Sequence, residues 1–512
     1  MPTADVVVAG AGHNSLVAAA YLAQAGYRLC VLDARPILGG DTATEELTLP
    51  GFRHDTCSTA HNLIQANPAL RELGLERYGL EYVEPDPVVH IPFPDGTWLT
   101  MWRDADRTYE EFAKFSRRDA DAFRRMMAEY DEVKGVFGAS RHTPIGFGPS
   151  LQERLAEHPR WQRRVQMSAW DLIQDRFEDW HTRAWMLWMA MMTVQPPDRP
   201  GTGLLAWSLA YGRTQHSWTL PKGGSGALPA ALARLLEEHG ATLLPGRRVT
   251  SLVLEGDRCA GVETADGERF LARKAVLSTI HVKHLVEMAP AERWGELFVE
   301  GVAEWRAGVS MFVTHYATTE PPLYDGLASV ASGTAPSVDV MLGKSAQFAR
   351  RRVETETPDL LVVCPTVADP GRAPDGRHTL KVIGFQPYDI DGDWDAIKDD
   401  VSARNLEYLR QFAPNLTDDK ILATVVKSPV DLEALNPHNW HGSCHGGDMG
   451  PAQSGALRPV PGWAQHRMPI AGLYQTGSTT PPGASVSGAP GRNAAVVMLH
   501  DFGTTIEEVL GG

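Results

Sequence analysis

The first thirty-three residues constrain the fold more than any other stretch of the chain. Asp5-Val-Val-Val-Ala9 is a short run of apolar, mostly β-branched residues without alternation, which predicts a strand buried on both faces. Gly10-Ala11-Gly12-His13-Asn14-Ser15 follows at once, and the alanine-rich stretch from Leu16 to Ala25 predicts a helix that Gly26 ends. Arg28 to Leu32 predicts a second strand, closed by Asp33. Strand, glycine turn, helix, strand and acid in this order describe a dinucleotide site in a doubly wound parallel sheet.

Each part has a physical reason. Gly10 permits the tight turn, and Gly12 lets the backbone approach a pyrophosphate. The helix N-terminus then offers free N–H groups and the positive end of its dipole to that anion. Asp33 lies 21 residues after Gly12 and can accept hydrogen bonds from ribose hydroxyls. Its charge also disfavours a phosphate on the ribose, which argues against NADP. Ser15 stands where a third glycine is usual, and it is small enough for close helix–strand packing.

Just after the acid comes Asp33-Ala34-Arg35-Pro-Ile-Leu-Gly39-Gly40, then Thr44 to Phe52 and Asp55-Thr-Cys57-Ser58. Later blocks are Pro221-Lys-Gly-Gly-Ser-Gly-Ala-Leu228, the strand pair Arg247 to Glu255 and Arg258 to Thr264, and Lys274 to Thr279. Near the C-terminus stand Arg458-Pro-Val-Pro-Gly-Trp463, Gly472-Leu-Tyr-Gln-Thr-Gly477 and Val486-Ser-Gly488-Ala-Pro-Gly491-Arg-Asn493. In this order they resemble the amine oxidase and phytoene desaturase superfamily over nearly the whole chain. The nearest branch is that of pyridine nucleotide-disulfide oxidoreductase domain-containing protein 2, which Gly12-His13-Asn14 also fits.

The resemblance implies a Rossmann-type FAD domain interleaved with a mixed-sheet substrate domain that carries a helical lid. It implies an FAD-dependent oxidoreductase, a dehydrogenase, desaturase or oxidase. FAD would be held by Gly10, Ala11, Gly12, His13, Asn14, Asp33, Ala34, Arg35, Gly39, Gly40, Ser58, Val249, Gly477, Val486, Gly488 and Asn493. The last helix would point its N-terminus at the flavin pyrimidine and stabilise negative charge on the reduced ring. One departure stands out. Where the family usually reads Thr-His-Pro-Gly-Gly-Gly-Val, this chain reads Thr480-Pro-Pro-Gly-Ala-Ser-Val486, without the histidine and with two glycines replaced. Inherited chemistry and substrate shape are therefore less constrained than cofactor binding.

A chain of 512 residues suits two domains rather than one core. No clean linker, repeat or low-complexity run separates them, so they are expected to interleave. Residues 1–85, 219–290 and 430–512 are assigned to the FAD domain, and 86–218 and 291–429 to the substrate domain and its lid. A net charge of −15 argues against nucleic acid as a partner. The five cysteines are odd in number and scattered, which suits a reducing, cytoplasmic compartment rather than a disulfide or thiolate zinc framework. No leader is evident, and the longest apolar run, Trp185 to Val194, is about half of what spans a bilayer. Peripheral membrane contact and a homodimer are left open.

Within the substrate domain, Val88 to Trp102 predicts a hairpin around Pro94-Asp95-Gly96, and Thr108 to Phe137 is mostly helical. Strands are expected at Val309–Ala317, Leu360–Val367, Leu380–Gln386 and Ile421–Lys427, with a helix near Trp394–Phe412. Seven of the fourteen tryptophans fall between Trp161 and Trp218. Trp185, Trp188, Met189 and Met192 share a helical face that either packs as core or forms an adaptable wall for an organic substrate. His438, His441, Cys444, His445 and Asp448 crowd one glycine-rich segment. Their spacing matches no standard zinc motif, so no metal is expected. His445 and its rival His441 are the candidate proton acceptors, because removing a hydride from C–H or N–H leaves a proton to place. Lys222 is read mainly as support for the flavin loop.

The expected reaction is dehydrogenation of an organic substrate with a sizeable apolar part, by hydride transfer to flavin N5. Electrons would leave to oxygen or a quinone. An amine oxidase acting on a C–N bond, a non-redox flavin isomerase and a binding protein like the GDP-dissociation inhibitors share the architecture and remain as alternatives.

Overall fold

The central strand, Thr3–Ala9, owes its place to its composition, because a run that is apolar on both faces must be covered on both. The computed structural model, which describes residues 3–483 and 485–511, buries Val6 to Ala9 completely. This strand pairs in parallel with Leu29–Leu32 on one side and with Arg269–Ser278 on the other. Thr242–Leu244 extends the parallel edge beyond Leu29–Leu32, and Leu473–Gln475 joins Arg269–Ser278 in parallel. The antiparallel strands Val249–Glu255 and Arg258–Thr264 complete the seven-stranded sheet.

The helix after the glycine turn runs from His13 to Gln24 and buries nearly all its residues. It packs against two others, Ala227–Glu238 and Ala489–Asp501. The second of these contacts is unusually close. A Cβ on Gly491 would lie 2.1 Å from the Asn14 carbonyl oxygen, so only glycine lets the last helix approach the first at this point. Glu72 ties the same region from outside, accepting from the Tyr21 hydroxyl at 2.5 Å and from Arg492 Nε at 2.8 Å.

A second seven-stranded sheet has the order Ile421–Lys427, Ser310–Thr318, His378–Gln386, Leu361–Val363, Ala331–Gly333, Val89–Pro92 and Trp98–Met101. Its pairings are antiparallel except between Ala331–Gly333 and Val89–Pro92. Alternation along Ser310–Thr318 sorts its two faces. Phe312 packs on Trp394, and Thr314 hydrogen-bonds Ser402, so this face lies under the helix Trp394–Arg410. Met311 and Val313 point the other way, into a core shared with the helices between residues 105 and 216.

Local chemistry adjusts several expected elements. The stretch 108–137 is divided among three helices, Ala105–Ala113, Arg117–Asp131 and Lys134–Arg141, the first two capped by Asp104 and Ser116. The strand expected to reach Val367 stops at Val363, because Pro365 cannot donate to the ladder and starts a single helical turn instead. No helix among the described residues is long and apolar enough to cross a membrane.

A buried ionic joint connects the two sheets' territories. Arg372, fully buried, donates to Asp55 at 2.7 Å, to Asp369 at 2.9 Å and to the Pro221 carbonyl at 2.8 Å. Lys381, on a strand of the second sheet, donates to the backbone carbonyls of Asp55 and Cys57. The segment 53–58 is thus pinned between the two sheets.

Candidate functional site

The glycine turn is held by its own neighbours. Gly10 has φ of 96°, and a Cβ there would meet the Thr279 methyl at 2.5 Å. The Ser15 hydroxyl lies within hydrogen-bond distance of the Gly10 carbonyl (2.7 Å) and the Gly12 carbonyl (2.9 Å), so the side chain in the third glycine's place ties the turn closed. Gly12 caps the first helix without any side-chain acceptor, which leaves its first N–H groups free for an anion. Asp33 accepts from the backbone N–H groups of Ala11 (2.7 Å) and Arg35 (2.8 Å). Burial raises its pKa, and those two donors only partly oppose the rise.

A cavity of about 770 Å³ opens on this turn. Gly10, Gly12, His13, Asn14, Asp33, Ala34, Arg35, Gly39, Gly40, Ser58, Val249, Gly477 and Val486 all line it. Arg35 is steadied by Glu45 at 2.6 Å and by the Gly40 carbonyl at 3.2 Å. Ala11, Gly488 and Asn493 stand behind the wall. Gly488, in the left-handed region at φ 66°, starts the last helix, and Asn493 donates to the Arg141 carbonyl at 3.1 Å. Ala484 lies outside the described residues.

The cradle fits FAD by its unmet hydrogen bonds. His13 Nε2 and Asn14 Oδ1 are buried at the cavity without any protein partner. Such atoms are costly unless a ligand supplies their partners. Burial pushes His13 down to about 4; a backbone hydrogen bond at Ser485 opposes this and His438 adds to it. His13 is therefore neutral at physiological pH.

Apolar side chains line another part of the cavity. Met311, Ile383 and Phe385 reach it from the second sheet, and Leu205, Leu209 and Trp218 from the helical side. None of these stands out in the sequence as a wall residue, although Leu205 and Leu209 sit one helical turn apart on Gly203–His216. Of the expected substrate wall, only Met192 lines the cavity. Trp185, Trp188 and Met189 are core, completely buried; Trp188 donates to the Leu360 carbonyl at 3.0 Å, and Trp185 packs edge-on to Phe112. The reason is that residues 184–191 of the helix Trp180–Met191 are all buried, and the cavity begins only where the chain leaves this helix.

The histidine-rich segment divides in two. His445 lines the cavity, is half-buried, and has a buried Nδ1 without a partner among the described residues. Burial, helped by the nearby Arg458 cation, pushes it down to about 4, so it is a neutral imidazole. His441 lies outside the cavity wall, stacked on Tyr388 at 4.5 Å with its backbone at φ 52°. His438, which is not among the candidate proton acceptors, lines the cavity and hydrogen-bonds Ser478. Arg458 is buried behind the segment and donates to the carbonyls of Ser478, Asp448, Gln453 and His445, fixing its path. Lys222 sits at the surface, paired with Glu81 at 3.0 Å and away from the cavity.

Comparison with known proteins shows the family and the fold. The family model described as flavin containing amine oxidoreductase matches residues 16–499. The chain is 27% identical to mouse (Mus musculus) pyridine nucleotide-disulfide oxidoreductase domain-containing protein 2, over 98% of this chain and 94% of the relative. It is 26% identical to one of the limonene dehydrogenase subunits of Castellaniella defragrans, over 98% and 95% of the two chains. A cofactor-binding variant of putrescine oxidase has the same fold, with a TM-score of 0.63 at 16% identity over 100% of this chain and 99% of that one.

Proposed function

The chain belongs to the flavin containing amine oxidoreductase family and is an FAD-dependent oxidoreductase with dehydrogenase relatives, and from this we propose that it dehydrogenates an organic substrate with a sizeable apolar part. The observation that carries this reading is the continuity of one cavity from Gly12 and Asp33 to Met311, Ile383 and Phe385. A relative named for limonene, a hydrocarbon, supports an apolar substrate.

FAD, when bound, supplies N5 as the hydride acceptor. The chain's own residues supply the rest. The turn at Gly10–Gly12 and the free N–H groups of the first helix would bind the pyrophosphate, and Asp33 would bind a ribose. The helix Ala489–Asp501, brought close by Gly491, would offer its positive end to negative charge on the reduced ring. Met311, Ile383 and Phe385 exclude water from the reacting carbon. His445, neutral and lining the cavity, accepts the proton that the hydride leaves behind. The assignment of 1–85, 219–290 and 430–512 to the cofactor and the remainder to the substrate belongs to the same proposal.

The test is the visible spectrum of the purified protein, followed by anaerobic titration with candidate substrates. Yellow protein that bleaches with an apolar substrate and recolours in air supports the reading. Yellow protein that bleaches only with amines moves it to C–N oxidation.

A further inference from the structure

Arg213 is an ionised side chain buried without a counter-charge. It leaves 4% of its surface exposed, on the helix Gly203–His216. Its one protein acceptor is the Ser217 carbonyl, at 3.3 Å from Nη1. Nε has no partner, and among the described residues no carboxylate pairs with the guanidinium. Burial alone holds it below the usual arginine range, with no neighbouring charge to oppose the shift.

A second donor beside it is also unmet. The guanidinium lies 3.8 Å above the Trp218 ring, and Trp218 Nε1 is buried without an acceptor. Both side chains line the cavity. Ser217, between them in the chain, holds a strained φ of 52° that turns its carbonyl back to Arg213, and Asn62 Nδ2 shares that carbonyl at 3.3 Å. Buried charges in proteins are normally paired, and a guanidinium presents a planar fork suited to an oxyanion. A buried guanidinium without a counter-charge, stacked on an indole and lining the cavity, describes a place for one.

We propose that Arg213 and Trp218 form an oxyanion site that holds the acidic head of an amphiphilic substrate, whose apolar part lies along Met192, Leu205 and Leu209. This rests on the cavity being the substrate chamber, and it narrows the substrate to an organic acid, with a carboxylate or phosphate head.

The experiment measures binding to the oxidised, FAD-loaded full-length protein, by calorimetry and by perturbation of the flavin bands. The probes are octanoate, dodecanoate and phenylpropanoate, each beside its primary amide, together with octyl phosphate. An acid is expected to bind about ten- to a hundredfold tighter than its amide, as for a charged hydrogen-bonded pair. Arg213→Met should abolish this preference and leave FAD affinity unchanged. Arg213→Lys should keep part of it, since the charge stays and the fork is lost. Trp218→Phe should weaken acid binding and spare the amides. Tighter binding of octyl phosphate than of octanoate assigns the head to a phosphate.

Equal binding of acid and amide by the wild type overturns the proposal, and so does a complete lack of acid binding. Loss of FAD from Arg213→Met with retention by Arg213→Lys overturns it too, by making Arg213 a cofactor ligand. If Arg213→Met does not fold, the wild-type selectivity and the Lys and Phe variants decide. Anaerobic bleaching tests the dehydrogenase reading separately. Acid-selective binding without bleaching keeps the oxyanion site and removes that reading for these acids. Bleaching by acids and amides that bind equally well keeps the dehydrogenase and overturns the site.

Discussion

Arg372 Nη1 and Asp55 Oδ2 meet at 2.7 Å across 317 residues of sequence, with Asp369 on the other side of the same guanidinium. This joint fixes the segment that carries Cys57 and Ser58 to the cavity. Removing the cation leaves two carboxylates buried against each other. Arg372→Met should cost about 3–5 kcal/mol, the cost of breaking a buried pair. Chemical denaturation of the variant beside the wild type checks this; a loss below about 1 kcal/mol would show that water reaches the site and replaces the cation.

Acid should weaken the fold well before the carboxylates titrate. Burial pushes His54 down to about 4, His61 to about 3 and His466 to about 4, from 6.5. For a histidine with a lowered folded pKa, the unfolded chain takes up the proton first. The stability contributed is complete above 6.5 and is lost as pH falls through that value towards 4. Asp55 adds a second loss lower down. Burial raises its pKa, but Arg372, the Ser225 N–H and the Thr44 hydroxyl together hold it below 3.8, so its contribution fades only as pH falls below that value. Melting temperature followed against pH should therefore begin to fall below 6.5; a flat profile down to pH 4 would contradict the burial of these rings.

His445→Gln should slow flavin reduction by about a hundredfold or more, the range for a lost general base, while the protein stays yellow. His441→Ala should change the rate by no more than a few-fold, because it stacks on Tyr388 outside the cavity. Stopped-flow reduction under anaerobic conditions reads both. With His445 held near 4, the wild-type rate should not break near pH 6.5. Equal effects of the two substitutions would remove His445 from the chemistry.

Gly491→Ala would set a methyl group 2.1 Å from the Asn14 carbonyl. The last helix must then back away from the first, at a cost of about 1–3 kcal/mol for overpacking. The expected result is a protein that folds less stably and retains less FAD after gel filtration. Full retention with an unchanged melting temperature would show that the close approach does not set the cradle.

The sequence made the cofactor end of the cavity far more legible than the substrate end. Gly10, Gly12, Ser15 and Asp33 act within one strand–turn–helix–strand unit, so their geometry follows from local spacing. Met311, Ile383 and Phe385 come from two strands buried on both faces, where alternation does not say which face meets a cavity. From residue 184 onward the helix holding Trp185 and Trp188 is apolar all round, and the choice between wall and core depends on where neighbouring helices end. His445 and His441 lie four residues apart in a segment without regular structure, and only the backbone path held by Arg458 separates them.

The parallel partners of Thr3–Ala9 also bear on the order of biosynthesis. Its neighbour on one side, Leu29–Leu32, is made almost at once, but the other, Arg269–Ser278, emerges from the ribosome more than two hundred residues later, and Leu473–Gln475 later still. Until then one edge of the central strand has unpaired N–H and C=O groups next to a fully apolar surface, a template for pairing with other chains. The nascent chain thus passes through a long aggregation-sensitive interval, which ends for this strand only when Arg269–Ser278 has been made.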